Sequence, residues 1–297
     1  MTNRWWTYQK ERFPLAAHAP LVLVLTASTL AYAAASRGAT SLGWLPTLAA
    51  FVSALLLFFQ LRVADEFKDF DEDKAHRPYR PVPRGLVKLG ELRALALAAA
   101  LVQAILAWLV DARLLLGLAI LWSYLLLMTK EFFVAEWLKK RIVLYTASHM
   151  VILALLLAYV AAFDILPAST GWPTGLGAFL AMGYFGGIVM EIGRKLRAPA
   201  DEEPGVETYS ALWGRPRAVS VWLGAMLLTC AAVVLSSAPL MAIVPLVALL
   251  GSAVVARAFL GRPTQGAGKR IEIASALFLL VTYLSAGFLP LALEAAA

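Results

Sequence analysis

Long apolar runs alternate with short charged connections along this chain. Stretches of about twenty apolar residues, the length a helix needs to cross roughly 30 Å of hydrocarbon, cover 15–35, 42–61, 92–110, 114–130, 142–163, 174–192, 218–237, 239–258 and 272–290. They predict an all-α membrane protein, one domain over 1–297 with nine transmembrane helices. The connections are unequal. Those on one side are tight, such as Asp111–Arg113 and Ser236–Ala238, whereas 62–91 and 191–217 on the other side run to twenty residues or more. Long connections in a compact protein tend to carry function. Both begin with carboxylates and follow an even-numbered span, which suggests two half-sites facing each other, although no sequence identity marks a repeat.

Composition agrees with the pattern. The chain is 61% hydrophobic and 15% charged, against roughly 25% charge in soluble domains, and its mean hydropathy is +0.75. Placing the N-terminus in the cytoplasm puts 24 of the 26 Lys and Arg residues on the cytoplasmic side, leaving only Arg37 and Arg113 outside. That asymmetry predicts an outward C-terminus and a multi-pass protein with its active site on the cytoplasmic face, in the plasma (inner) membrane if the source is bacterial. It also accounts for the net charge of +7 through attraction to the cytoplasmic leaflet, with no motif that would point to nucleic acid. Residues 1–14 interleave Trp5, Trp6, Tyr8 and Phe13 with Arg4, Lys10 and Arg12, the pattern of an interfacial anchor. The first apolar run is long and lacks a small-residue cleavage site after a short core, so the first span is expected to serve as the targeting segment. The single cysteine, Cys230, reads as packing.

The densest charge lies in DEFKDFDEDKAHRPYRPVPRGL, from Asp65 to Leu86, where six of the first nine residues are acidic. On a continuous helix Asp65, Asp69 and Asp73 fall at i, i+4 and i+8, with Glu66 beside them. Like charges at that spacing repel, so a cation is expected there, and Mg²⁺ bridging to phosphate oxygens suits the ligand type. The second loop, EIGRKLRAPADEEPGVETYSALWG, carries Glu191, Arg194 and Lys195 on the end of the sixth span, then a break at Pro199, a cluster of Asp201, Glu202 and Glu203, and a Pro204–Gly205 turn. Inside the spans, Gln60, Gln103 and Tyr124 read as helix-to-helix hydrogen bonds, and Gly183, Gly186 and Gly187 as close packing. His149 reads the same way, with a bond to a substrate as the alternative.

The first stretch resembles the opening signature of the UbiA superfamily of intramembrane prenyltransferases, Asn-Asp-x-x-Asp-x-x-x-Asp followed by Arg-x-x-Arg-Pro and Gly. Asp65 stands at the Asn position, Glu66, Asp69 and Asp73 at the three acidic ones, and Arg77, Arg80, Pro81 and Gly85 match the tail. The resemblance implies nine helices around a central apolar cavity and an Mg²⁺-dependent transfer of an isoprenyl group from its diphosphate to a small aromatic or lipid-like acceptor. It implies catalytic roles for Glu66, Asp69, Asp73 and Glu191. Metal ligands would come from Asp65, Glu66, Asp69, Asp73, Glu191 and Asp201, and substrate or diphosphate contacts from Lys74, Arg77, Arg80, Arg194, Lys195, Lys130 and Tyr124. The sequence departs from the pattern where Asp65-Glu66 replaces Asn-Asp and where the second motif, normally Asp-x-x-x-Asp, shows Glu191 followed by Lys195. Phosphoribosyl transfer to a polyprenyl phosphate and terpene cyclisation are the alternatives within the superfamily. A transporter is the alternative outside it, opposed by the position of the acids at one end of the bundle.

Overall fold

A computed structural model describes residues 3–203 and 205–296, so Pro204 of the expected turn lies outside the described residues. Among those residues every regular element is helical. Helix α1 (Arg4–Arg12) starts at Asn3, whose side chain accepts from the Trp5 amide. After it come α2 (Leu15–Ala35), α3 (Trp44–Lys68), the short α4 (Phe70–His76), α5 (Leu89–Val110) and α6 (Leu114–Thr129). A tight turn over 131–133 leads to α7 (Ala135–Lys139), α8 (Ile142–Ile165) and α9 (Leu176–Arg194). Then follow α10 (Tyr209–Trp213), α11 (Arg215–Ser236), α12 (Ile243–Gly261) and α13 (Ala267–Tyr283), which passes through a π-helical turn at 284–288 into α14 (Leu289–Ala296).

Eight segments are long and apolar enough to cross a membrane, with α13 and α14 counted as one 30-residue crossing. The expected ninth, α6, is apolar but has 16 residues, about 24 Å at 1.5 Å per residue. Leu97, Leu101 and Trp108 of α5 and Val247, Leu250 and Val254 of α12 are each more than 60% exposed, as lipid-facing side chains would be. The two basic residues at the end away from the acidic loops are both neutralised. Arg37 forms a double bond pair with Asp164 at 2.9 Å, and Arg113 binds Asp111 at 2.7 Å.

Helix α9 joins two apolar cores. On one side it packs with α2 and α8 around Phe163, Phe179 and Leu157, and on the other with α11 and α13 around Trp222, Phe278 and Ile271. The α9 glycines permit this: a Cβ on Gly183 would fall 2.1 Å from Leu157 Cδ1, and one on Gly187 2.5 Å from Leu153 Cδ1. The polar residues inside the spans also bridge helices as expected. Gln60 donates to the Ala96 carbonyl, Gln103 to that of Ser53, and Tyr124 to that of Ser148.

Helix α3 runs seven residues beyond the apolar run that ends at 61, because Leu61, Val63 and Ala64 still pack inward. It carries Asp65 and Glu66 with it. An apolar pocket of about 250 Å³ lies between α1, α3 and α5, and a smaller one of about 20 Å³ borders Asp65 and Lys68.

Candidate active site at the ends of α3 and α9

The expectation of one continuous acidic helix fails at Asp69. Helix α3 stops at Lys68, Asp69 takes φ −96° and ψ 10°, and α4 starts at Phe70. The break divides the four carboxylates into two kinds. Glu66 and Asp73 turn into the protein and are each 2% exposed. Arg12 Nε lies 2.5 Å from Glu66, and Asp73 receives Arg80 at 2.6 Å, Arg77 at 3.1 Å and Arg12 at 3.8 Å. A buried carboxylate is tolerated when a cation and hydrogen bonds answer it. The Arg-Pro tail, closed by the left-handed Gly85 at φ +78°, folds back to supply two of those cations. Arg77 and Arg80 are therefore engaged by Asp73, and α1, read from sequence as an anchor, also delivers an arginine into the motif.

Asp65 and Asp69 are the other kind. The Asp65 side chain is 47% exposed and bonds through one oxygen to Arg62 at 3.2 Å, leaving the other free. The Asp69 carboxylate has no hydrogen bond or ion pair among the described residues, although it occupies a helix-capping position. Burial raises its pKa above the usual carboxylate range; Lys68 lowers it in part, and Asp65, Glu72 and Asp73 add to the rise. A half-buried carboxylate held at a charge deficit, one helical turn from a second carboxylate with a free oxygen, suits a hard cation whose remaining ligands are substrate oxygens. Among the described residues no three acidic, His or Cys side chains converge as a complete metal site.

The second motif is organised differently. Glu191 accepts from Arg194 Nε at 2.8 Å and lies 2.9 Å from Lys195 Nζ, which places one carboxylate between two cations. Lys195 also sits 5.8 Å over the ring of Tyr209, whose hydroxyl pairs with Thr146. Burial raises the Tyr209 pKa and the Glu191 charge raises it further. Asp201 accepts from the Gly266 amide at 2.8 Å, ahead of α13, and Glu202 from Thr208; both serve the loop. Lys74 and Lys130 are exposed.

One functional candidate escaped the sequence reading. Glu131, 4% exposed, is reached by Lys68 at 2.7 Å and by His149 at 3.4 Å. It opens a turn in which Glu131, Phe132 and Phe133 all have positive φ, at 47°, 53° and 61°. That conformation is costly without glycine and tends to mark functional sites.

A model of the UbiA prenyltransferase family matches residues 22–281. The chain belongs to this family. Solved structures share its fold. The apo structure of a UbiA homologue from Aeropyrum pernix K1 aligns with a TM-score of 0.62 at 15% identity, covering 88% of this chain and 95% of the other. Digeranylgeranylglyceryl phosphate synthase aligns at 0.59 and 16% identity, covering 97% and 99%. A UbiA homologue from Archaeoglobus fulgidus, bound to DMAPP and Mg²⁺, aligns at 0.56 and 12% identity, covering 94% and 98%. No curated protein matches the sequence.

Proposed function

We propose that this UbiA family member is an Mg²⁺-dependent intramembrane prenyltransferase that moves an isoprenyl group from its diphosphate to a small aromatic or lipid-like acceptor. The observation that carries this reading is the open pair of Asp65 and Asp69 at the end of α3, together with Arg194 and Lys195 around Glu191 at the end of α9. Family membership and the fold shared with a homologue bound to DMAPP and Mg²⁺ support it. They also weigh against the transporter alternative.

Asp65 and Asp69 would hold the metal, which supplies charge neutralisation on the departing diphosphate. Arg194 and Lys195 bind and orient the outer phosphate oxygens as negative charge grows on them, a form of electrostatic stabilisation that works through fixed positions. Glu191 holds those two side chains in place. Glu66 and Asp73, with Arg12, Arg77 and Arg80, form the buried frame that fixes the end of α3. The surrounding apolar helices exclude water, so the cationic prenyl carbon meets the acceptor.

We place nine crossings in the membrane, α6 among them, with the N-terminus and the site in the cytoplasm and the C-terminus outside. The distribution of Lys and Arg supports this orientation, and cysteine-accessibility labelling of the 111–113 and 130–141 connections from either side of the membrane tests it. The function is tested with purified full-length protein and labelled geranyl diphosphate. Pyrophosphate release that needs Mg²⁺ is expected, and its absence with and without the metal contradicts the proposal.

A further inference from the structure

The connection from α6 to α8 divides its residues between the interior and the outside. Glu131 and Leu138 point inward and are buried, and Phe132 meets Tyr124 and His149 edge-on, with ring centroids 5.6 Å and 5.8 Å away. The left-handed turn over 131–133 then directs Phe133 outward, 78% exposed, and Val134 and Trp137 follow it into the open. Three large apolar side chains held outward in this way form a patch that calls for a partner. Lys139, Lys140 and Arg141 close the connection, all exposed, with Glu136 as the one exposed acid. Among the described residues Glu131 is the only member of the connection in an ion pair, so these three cations are unmatched. Arg141 lies 4.4 Å over the Trp137 ring and donates to the Trp137 carbonyl at 3.1 Å, which sets a charge directly against an exposed aromatic.

We propose that residues 133–141 form an interfacial wedge, with Phe133, Val134 and Trp137 inserted at headgroup depth and Lys139, Lys140 and Arg141 bound to the anionic headgroups of bilayer lipids. Two observations select the lipid surface as the occupant. Exposed apolar side chains continue from the wedge into both adjoining helices, Leu126 and Leu127 of α6 and Val143 and Leu144 of α8, so the patch is the end of a lipid-facing surface. Helix α6 has 16 residues, about 24 Å in length, which is short of the roughly 30 Å hydrocarbon core. A short span draws its flanking residues into the interface. Aromatic rings with cations reaching out beside them suit that depth, and each unmatched Lys or Arg there gains from anionic lipid. Helix α1 repeats the device, with Lys10 5.2 Å over the ring of the exposed Trp6. The wedge is tied to the candidate site through Glu131, which Lys68 reaches at 2.7 Å from the end of α3. The inference rests on the membrane crossing of α6 and goes beyond the reaction, on which it does not depend.

The test uses full-length protein, one copy per nanodisc, in POPC and in POPC with one quarter POPG. A nitroxide label is placed at Val134→Cys, and at Thr264→Cys in the exposed connection between α12 and α13 as a water-facing reference; the native Cys230 is buried. Collision of the label with a neutral, water-soluble nickel complex reports its depth. In POPC the label at 134 is expected to collide about fivefold less than the label at 264, and POPG should lower its collision rate by a further factor of about two. Adding Lys139→Gln, Lys140→Gln and Arg141→Gln should abolish the POPG effect while thermal unfolding stays as in the labelled parent. Sodium chloride at about 1 M, where charges are screened beyond about 3 Å, should abolish it in the parent too, a check that needs no further variant to fold. A label at 134 as accessible as that at 264 in both bilayers overturns the wedge. Equal shielding in the two bilayers overturns the anionic headgroup as partner, as does a POPG effect that survives in the triple variant or in salt. Pyrophosphate release from geranyl diphosphate, measured on the same samples, reports on the prenyltransferase reading alone, so the two can fail separately.

Discussion

The two acidic regions of this protein look alike in sequence and are wired in opposite ways. In the first, Glu66 and Asp73 are matched by arginines that come from α1 and from the Arg-Pro tail, so that Asp65 and Asp69 remain available. In the second, Glu191 is matched by its own neighbours, Arg194 and Lys195, and the displaced carboxylates Asp201 and Glu202 bond to the loop itself. The first region therefore leaves two carboxylates open, whereas in the second the carboxylate at the end of α9 lies between two cations. A pair of metal-bound diphosphate ligands needs no symmetry if fixed cations replace one set of carboxylates, and the pattern here suits that arrangement.

The largest effect is expected at the buried frame. Arg80→Ala leaves Asp73 2% exposed with its closest partner gone, and breaking a buried pair in this way costs about 3–5 kcal/mol. Thermal unfolding in detergent should show the loss, and a change below about 1 kcal/mol would mean that Asp73 is reached by water. An equivalent replacement of Arg194, 49% exposed on its side chain, should leave the fold intact.

Next in size is Asp69→Asn, which should reduce Mg²⁺-dependent pyrophosphate release by roughly a hundredfold or more, the scale of losing one electrostatic stabiliser. The same change is expected to raise stability at neutral pH by on the order of 1 kcal/mol, the usual gain when a strained functional group is relieved. The sign follows from linkage. A carboxylate whose pKa is raised on folding contributes stability in its protonated form, below its unfolded pKa, and that contribution is lost as pH rises through the folded value. Wild type and Asp69→Asn should thus converge in stability in acid and separate toward neutrality; equal curves at all pH values would count against the open-carboxylate description.

A smaller effect is expected from Lys195→Ala, about a tenfold weaker binding of geranyl diphosphate, or ~1.4 kcal/mol. Isothermal titration would read it, and unchanged affinity would remove Lys195 from the phosphate face. The smallest concerns Glu131. Burial pushes its pKa up, but His149 and Lys68 more than offset this and bring it down to about 2. Its contribution to stability is present above the ordinary carboxylate range and is lost as pH falls toward 2. Glu131→Gln should therefore be less stable than wild type at pH 7 and approach it as pH falls toward 2, measured by unfolding at pH 3 against pH 7.

Sequence made the helical membrane class plain, since runs of twenty apolar residues have few alternatives, and it located both acidic regions. The break at Asp69 was harder to read, because no Pro or Gly marks it, although Asp is favoured at helix starts. The role of Arg12 depends on a contact across 54 residues, which no local pattern reports. Glu131 was missed for a related reason: its turn is left-handed without a glycine, and its partners Lys68 and His149 come from two different helices. The division of Glu66 and Asp73 from Asp65 and Asp69 likewise appears only once the arginines are in place.

The inequality of the two regions is tested most directly by Mg²⁺-dependent binding of geranyl diphosphate to wild type, Asp69→Asn and Glu191→Gln. Asp69→Asn should bind the donor with no dependence on Mg²⁺, while Glu191→Gln keeps the wild-type dependence and shifts only the affinity. Loss of Mg²⁺ dependence in Glu191→Gln, with the dependence retained in Asp69→Asn, would contradict it.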